Sequence, residues 1–226
     1  MTRTGLLGGS FNPAHGGHRS LSLEAIRQLG LDEVWWLVSP GNPLKAEQGM
    51  APIAARLASA QLAARGAPIR VTAIEAELGT RYTADTLRAL LRRYPDRRFA
   101  WLMGADNLAQ FHRWHDWRSI ARMVPIAVAT RPGYDARAQE APAMGWLRRF
   151  VRSAADGRNW TEWRLPSLVQ LIVPPDPTSA TALRAADPDW HETVMKSFHP
   201  EAFRDGVTRK LLFRRRPFAR NRTRSP

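Results

Sequence analysis

Short β-rich apolar runs alternate with amphipathic stretches through most of this chain, and that rhythm leaves few folds open. The apolar runs are Gly5–Gly8, Val34–Ser39, Ile69–Ala73, Phe99–Gly104, Ile126–Thr130 and Leu168–Val173. Between them the spacing predicts helices over Gly17–Leu29, Ile53–Arg65, Ala84–Tyr94 and Trp117–Met123. In the first helix Leu21, Ala25 and Leu29 recur at i, i+4 and i+8, an apolar stripe of the kind that packs on a sheet. Thr83 offers an N-cap to the third, with Asp85 in its first turn. Strands separated by helices cannot pair as hairpins; they lie parallel, with the helices covering both faces. The expected fold class is therefore α/β: a doubly wound parallel sheet in a single domain, residues 1–200, with a small helical C-terminal part.

Charge divides the chain unevenly. The formal net charge is +14, but nine Lys and Arg against one Asp between Arg204 and Pro226 account for +8 of it, leaving +6 for the rest. Residues 201–226 read as a basic extension whose arginine-rich end, Arg214 to Arg224, is solvated and disordered, able to touch nucleic acid or acidic surfaces without specificity. No apolar run approaches the roughly 18 residues of a membrane span, and no charged-then-apolar leader precedes the first strand. The absence of cysteine excludes a disulfide framework and a thiolate metal site and suits a reducing cytoplasm. Residues 132–166 are less regular, with one helix near Met144–Arg152, and read as an insertion before the last strand.

In an open parallel sheet ligands bind beyond the carboxyl ends of the strands, and four polar clusters fall at such ends. The first is Gly8-Gly9-Ser10-Phe11-Asn12-Pro13-Ala14-His15-Gly16-Gly17-His18. Two glycines end a strand, a proline stiffens the turn, and two histidines three residues apart meet a helix mouth. There unpaired N–H groups and the positive end of the dipole favour an anion. Surface histidines and a two-histidine metal site are the competing readings, although no third His or carboxylate stands at helical spacing beside them. The second cluster, Pro40-Gly41-Asn42-Pro43-Leu44-Lys45, can project a compact cation or be a plain turn. The third, Gly104-Ala105-Asp106-Asn107, can cap a helix or offer a carboxylate to ribose hydroxyls, and the ring-dense Phe111–Trp117 follows it. The fourth is Ser179-x-Thr181-x-x-Arg184. Its hydroxyls can cap a helix, but an arginine is unfavourable near a helix N-terminus unless an anion lies between.

The first and fourth motifs together resemble the nucleotidyltransferase superfamily of Rossmann-like adenylyltransferases and cytidylyltransferases. Within it the chain looks like the bacterial nicotinate-nucleotide adenylyltransferases, on Pro40-x-x-Pro43-x-Lys45, Tyr82-Thr83-Ala84-Asp85-Thr86, Gly104-Ala105-Asp106-Asn107 and Trp114, from about residue 4 to about residue 190. The resemblance implies a Rossmann-like sheet and transfer of AMP from ATP to nicotinate mononucleotide, giving deamido-NAD and pyrophosphate, with Mg²⁺ carried on the ATP phosphates and no protein metal ligand. It implies that His15, His18, Lys45 and Arg184 serve the reacting phosphates. ATP would meet Gly8, Gly9, Ser10, Phe11, Gly104, Asp106, Ser179 and Thr181 as well. The acceptor would meet Asn12, Lys45, Tyr82, Thr83, Trp114 and His115, with Trp114 stacking on the ring. Many relatives carry Asp where this chain has Asn12. The competing expectations are an enzyme that adenylylates phosphopantetheine and, from another class, a basic nucleic-acid-binding protein. No membrane and no specific nucleic acid are expected as partners, and the sequence leaves the oligomeric state open.

Overall fold

A computed structural model describes residues 1–41, 49–130, 140–196, 198 and 203–212. Lys45, the start of the 132–166 stretch and the arginine-rich end lie outside the described residues. The strands are β1 (Thr2–Gly9), β2 (Glu33–Val38), β3 (Ile69–Thr72), β4 (Arg97–Gly104), β5 (Ile126–Thr130), β6 (Val151–Arg152) and β7 (Leu168–Ile172). They form one sheet in the order β3-β2-β1-β4-β5-β7-β6, and every pairing is parallel. The chain starts in the middle, winds outward through β2 and β3, then returns to lay β4 on the other side of β1. That reversal opens a crevice between the carboxyl ends of β1 and β4.

The helices are α1 (Gly16–Leu29), α2 (Ile53–Ala64), α3 (Ile74–Leu78), α4 (Thr83–Arg93), α5 (Ala105–Gln110), α6 (Trp117–Met123), α7 (Met144–Leu147), α8 (Ala180–Ala186) and α9 (Trp190–Lys196). Alternation along the strands builds two cores. Leu6, Trp35, Phe99, Trp101, Met103, Ile126 and Val128 face α4 and α6, meeting Leu87, Leu90 and Ile120. Leu7, Val34, Trp36, Val71, Leu102, Ala127 and Val169 face α1 and α2, meeting Leu21, Ala25, Leu29, Leu57 and Ala60. All six β2 residues are buried, as expected of a strand covered on both faces.

Several elements depart from the sequence expectation. Thr83 is the first helical residue of α4 and not its cap; Tyr82 holds the cap position without a side-chain bond. The helix expected near Met144–Arg152 is one turn of α-helix, a 3-10 turn at Arg148–Phe150 and then β6, which pairs with β7 at the sheet edge. Residues 203–212, at the start of the basic extension, dock on β3. Phe203 and Asp205 are buried, and the Asp205 carboxylate accepts from Thr72 Oγ1 and Ala73 N, both 2.8 Å, and from the amides of Val207 and Thr208. Among the described residues no helix is long and apolar enough to cross a membrane.

Candidate active site

The loop after β1 is held in an unusual shape. Phe11 has a left-handed backbone (φ 47°), rare for a bulky residue, and its ring is buried and stacked on Trp36 at 5.0 Å. Burial of that ring stabilises the turn the strained backbone makes. Gly8 has no room for a side chain: a Cβ there would lie 2.7 Å from Cη2 of the buried Trp101, so the indole packs directly against the end of β1.

His15 is the N-cap of α1, and its Nδ1 accepts from Gly17 N at 3.2 Å. His18, three residues on, accepts from His15 N through its own Nδ1, also at 3.2 Å. The pair thus makes a reciprocal capping box with imidazoles in place of the usual Ser/Thr and Glu. Both Nδ1 atoms are acceptors, so the neutral rings carry their proton on Nε2. The rings sit 3.9 Å apart, and His18 also packs against Phe11 at 4.8 Å.

Arg184 reaches this loop from the far end of the sequence. Its Nη1 donates to Asn12 O at 2.5 Å and its Nη2 to Thr181 Oγ1 at 3.3 Å. Ser179 caps α8, accepting from Ala182 N at 3.1 Å. The preceding loop presses Asp176 on the mouth of α1, where its Oδ2 would lie 2.5 Å from a Cβ on Gly16. Asn12 is buried and serves the loop itself, donating to Gly49 O at 2.8 Å and accepting from Ala51 N at 3.1 Å. These bonds use an amide as both donor and acceptor, a task aspartate could not perform.

Arg56, which the sequence reading passed over, is fully buried behind the loop. It donates to Ala51 O (2.9 Å), Ser10 O (2.9 Å), Ser39 O (2.7 Å) and Pro40 O (3.5 Å), tying the ends of β1 and β2 to the start of α2. A signal was present: Arg56 is the lone charge in Ile53–Ala64, a helix otherwise of small and apolar residues with one serine and one glutamine. Burial lowers its basicity.

A second group lies on the β4 side. Gly104 caps α5 and Asp106 stands exposed in its first turn without a capping bond. Trp114 is half-buried, edge-on to Trp101 at 6.1 Å and to Phe111 at 5.4 Å. Tyr82 lies against the His115 ring at 4.6 Å, and an Arg88–Asp116 ion pair joins α4 to the same segment. Trp101 bridges the two groups, touching Gly8 on one side and Trp114 on the other. The structure therefore gathers His15, His18, Asn12 and Arg184 at one loop, and Tyr82 with His115 at another.

The cytidylyltransferase-like family model matches residues 6–186. The chain belongs to the cytidylyltransferase-like family. Among proteins similar to this family member, one from Erythrobacter litoralis is 61% identical over 216 residues, covering 93% of this chain and 94% of its own. One from Parvibaculum lavamentivorans is 52% identical over 182 residues, covering 80% and 90%. Both bear the name "Probable nicotinate-nucleotide adenylyltransferase". A Plasmodium falciparum nicotinic acid mononucleotide adenylyltransferase solved with NaAD shares the fold, with a TM-score of 0.61 at 13% identity over 87% of this chain and 96% of its own. The seven-stranded sheet of this family member is Rossmann-like, as the sequence led us to expect.

Proposed function

We propose that the protein transfers the AMP moiety of ATP to nicotinate mononucleotide, releasing pyrophosphate and forming deamido-NAD in the cytoplasm. One observation carries the reading at the level of the site: the two imidazoles at the mouth of α1 share a loop with Arg184, brought from the opposite end of the chain. The names of the relatives, at up to 61% identity over nearly the full length, support the choice of substrates.

The reaction asks for alignment more than for proton chemistry. The acceptor's 5′-phosphate, with a second pKa of about 6, is already largely ionised at neutral pH, so no general base is needed. One of its oxygens attacks the α-phosphorus in line; the bond to the bridging oxygen of the β-phosphate breaks, and pyrophosphate leaves with that electron pair. In our reading Nε2–H of His15 and His18 donates to the α-phosphate as charge builds on it. Backbone amides of Gly8 to Phe11 line its path, and Ser179, Thr181, Arg184 and Lys45 hold the departing phosphates. Gly104 and Asp106 take the ribose of ATP. Asn12, Tyr82, Thr83, Trp114 and His115 shape the acceptor side, with Trp114 stacking on the nicotinate ring. Holding two charged reactants in line is worth roughly 7–11 kcal/mol.

Among the described residues no three His, Asp or Glu side chains converge as a metal site. Mg²⁺ carried on the ATP phosphates would be held by phosphate oxygens and water and would offset charge on the leaving pyrophosphate. The test is direct. Purified protein is given ATP with nicotinate mononucleotide, nicotinamide mononucleotide or phosphopantetheine, and pyrophosphate release is followed. The acid mononucleotide is the expected acceptor. Transfer to phosphopantetheine alone, or to none of the three, refutes the proposal.

A further inference from the structure

Glu75 is a buried carboxyl to which the reaction above assigns no task. It sits in α3, at the carboxyl end of β3, 7% exposed and without an ion-pair partner among the described residues. Its Oε1 lies 3.2 Å from the hydroxyl of Thr86, itself fully buried in α4. The same hydroxyl lies 2.9 Å from Thr80 Oγ1 and 3.2 Å from Tyr82 O, and the Glu75 carbonyl accepts from Thr80 N at 3.0 Å. Glu75 and Thr86 therefore brace both ends of the turn that delivers Tyr82 and Thr83 to the mouth of α4.

We infer that Glu75 is a positioning residue for the acceptor: through Thr86 it sets the Thr80–Thr83 turn and the preference for an acceptor whose ring bears a carboxylate. The inference rests on the proposed function, which puts the acceptor ring at Tyr82, Thr83 and Trp114.

A count of protons gives the mechanism. The Thr86 hydroxyl has one hydrogen and three neighbours that can accept it. If Glu75 is ionised, that hydrogen goes to the carboxylate, and Tyr82 O loses the hydroxyl's support. If Glu75 keeps its proton, it donates to Thr86 Oγ1, and Thr86 donates onward to Tyr82 O. The protonated acid thus completes the brace. It also keeps negative charge from behind a helix N-terminus whose positive end would otherwise favour an anionic substituent. Burial pushes the Glu75 carboxyl up to about 7, with the Thr86 bond offsetting part of that rise.

Arg81 in the turn and Arg92 on α4 are exposed, and other charged groups on the elements packed around Glu75 are engaged elsewhere. Glu77 on α3 pairs with Arg93 and Lys210, Asp85 on α4 pairs with Arg88, and Glu33 on β2 pairs with Arg70 and Arg97. Asp205 is bonded to Thr72 and backbone amides. His115 lies against Tyr82, and the acceptor phosphate has a second pKa of about 6, so the test compares variants in which both are retained.

The test is steady-state kinetics of the full chain at pH 6.5 and 8.5, at saturating ATP, with the acid and the amide mononucleotide as acceptors. Glu75→Gln is a neutral isostere that can still donate to Thr86. In the wild type KM for the acid mononucleotide is expected to rise about tenfold between the two pH values, as a like charge forms nearby in partly buried surroundings. In E75Q the rise is expected to stay below twofold, and KM for ATP is expected not to follow in either protein. Thr86→Val, which cuts the link, is expected to raise KM for the acid at pH 6.5, and Thr86→Ser to restore it. Equal rises in wild type and E75Q, or a KM for ATP that moves in step, overturn the inference alone. Wild-type protein that transfers nothing to the acid mononucleotide overturns the proposed function, and the inference with it.

Discussion

Replacing Arg56 by Met removes one side chain and loosens three segments at once. The guanidinium makes three bonds of 2.7–2.9 Å to main-chain carbonyls of Ser10, Ser39 and Ala51, and a longer one to Pro40. Hydrogen bonds from a charged donor are worth about 1.5–3 kcal/mol each, so the three short ones represent roughly 5–9 kcal/mol in gross terms. Against that stands the cost of keeping a cation out of water, several kcal/mol, which Met does not incur. A net loss of about 2–4 kcal/mol follows, or a fall in Tm of about 4–16 °C for a chain of this size. Ser10 lies in the β1 loop and Asn12 two residues beyond it, so the same change is expected to raise KM for ATP about tenfold. Lysine keeps the charge but cannot fork between carbonyls on three segments, and R56K is expected to fall between wild type and R56M. Thermal unfolding by circular dichroism and ATP kinetics on the same preparations measure both quantities. A Tm within about 2 °C of wild type, with KM for ATP unchanged, would show that the loop holds its shape without Arg56 and refute the reasoning.

Three other outcomes are expected. His18→Ala removes a phosphate donor and one cap bond; turnover is expected to fall by at least about a hundredfold while the far-ultraviolet spectrum is retained, and near-normal turnover removes His18 from the reaction. Trp114→Ala forfeits a stacking surface worth about 1–3 kcal/mol, so KM for the acceptor is expected to rise roughly five- to a hundredfold; an unchanged value takes Trp114 out of the pocket. At the opposite rim of the sheet, burial alone would raise the Glu33 carboxyl, but Arg70, Trp35 and Arg97 together hold it below its usual 4.5. Its contribution to stability is then complete above pH 4.5 and lost as pH falls through the lower, folded value. Glu33→Gln is expected to flatten the acid limb of the stability curve below pH 4.5, and an unaltered limb counts against the assignment.

How much of this was legible in the chain depends on the range of the interactions involved. The main strands and the long helices α1, α2 and α4 follow from periodicity, because a strand buried on both faces must be apolar throughout and a helix on a sheet must carry a stripe. The sequence led us to expect an anion beside Arg184, but this residue sits in the last turn of the seven-residue α8, where the dipole favours a cation and no anion is needed to explain it. What joins it to the histidine loop is its bond to Asn12 O. Three things were out of reach. β6 is two residues long and exposed, with no alternation to read. Asn12 looked like a departure from an acidic pattern, and only the bonds to Gly49 and Ala51 show why an amide suits the turn. Asp205 reads as one acid in a basic tail until the Thr72 hydroxyl and the Ala73 amide are seen to converge on it.

The histidine pair bears on where the positive charge for phosphoryl transfer comes from. Each Nδ1 accepts a backbone N–H. A proton added there would break the cap and leave an amide donor unpaired at the mouth of α1. A neutral ring held this way contributes a directed Nε2–H and not net charge. The buried cation behind the loop, Arg56, is fixed by main-chain carbonyls, and the one beside it, Arg184, by the Asn12 carbonyl and the Thr181 hydroxyl. Carbonyl dipoles hold a guanidinium in place without cancelling its charge, so its field survives toward the crevice. In the proposed reaction such a site separates two tasks: the arginines supply potential, beside the Asp176 carboxylate at the mouth of α1, and the imidazoles supply geometry. Substituting lysine for His18 would merge those tasks in one flexible side chain with no acceptor for His15 N, so the cap and the alignment would be lost together despite the added charge.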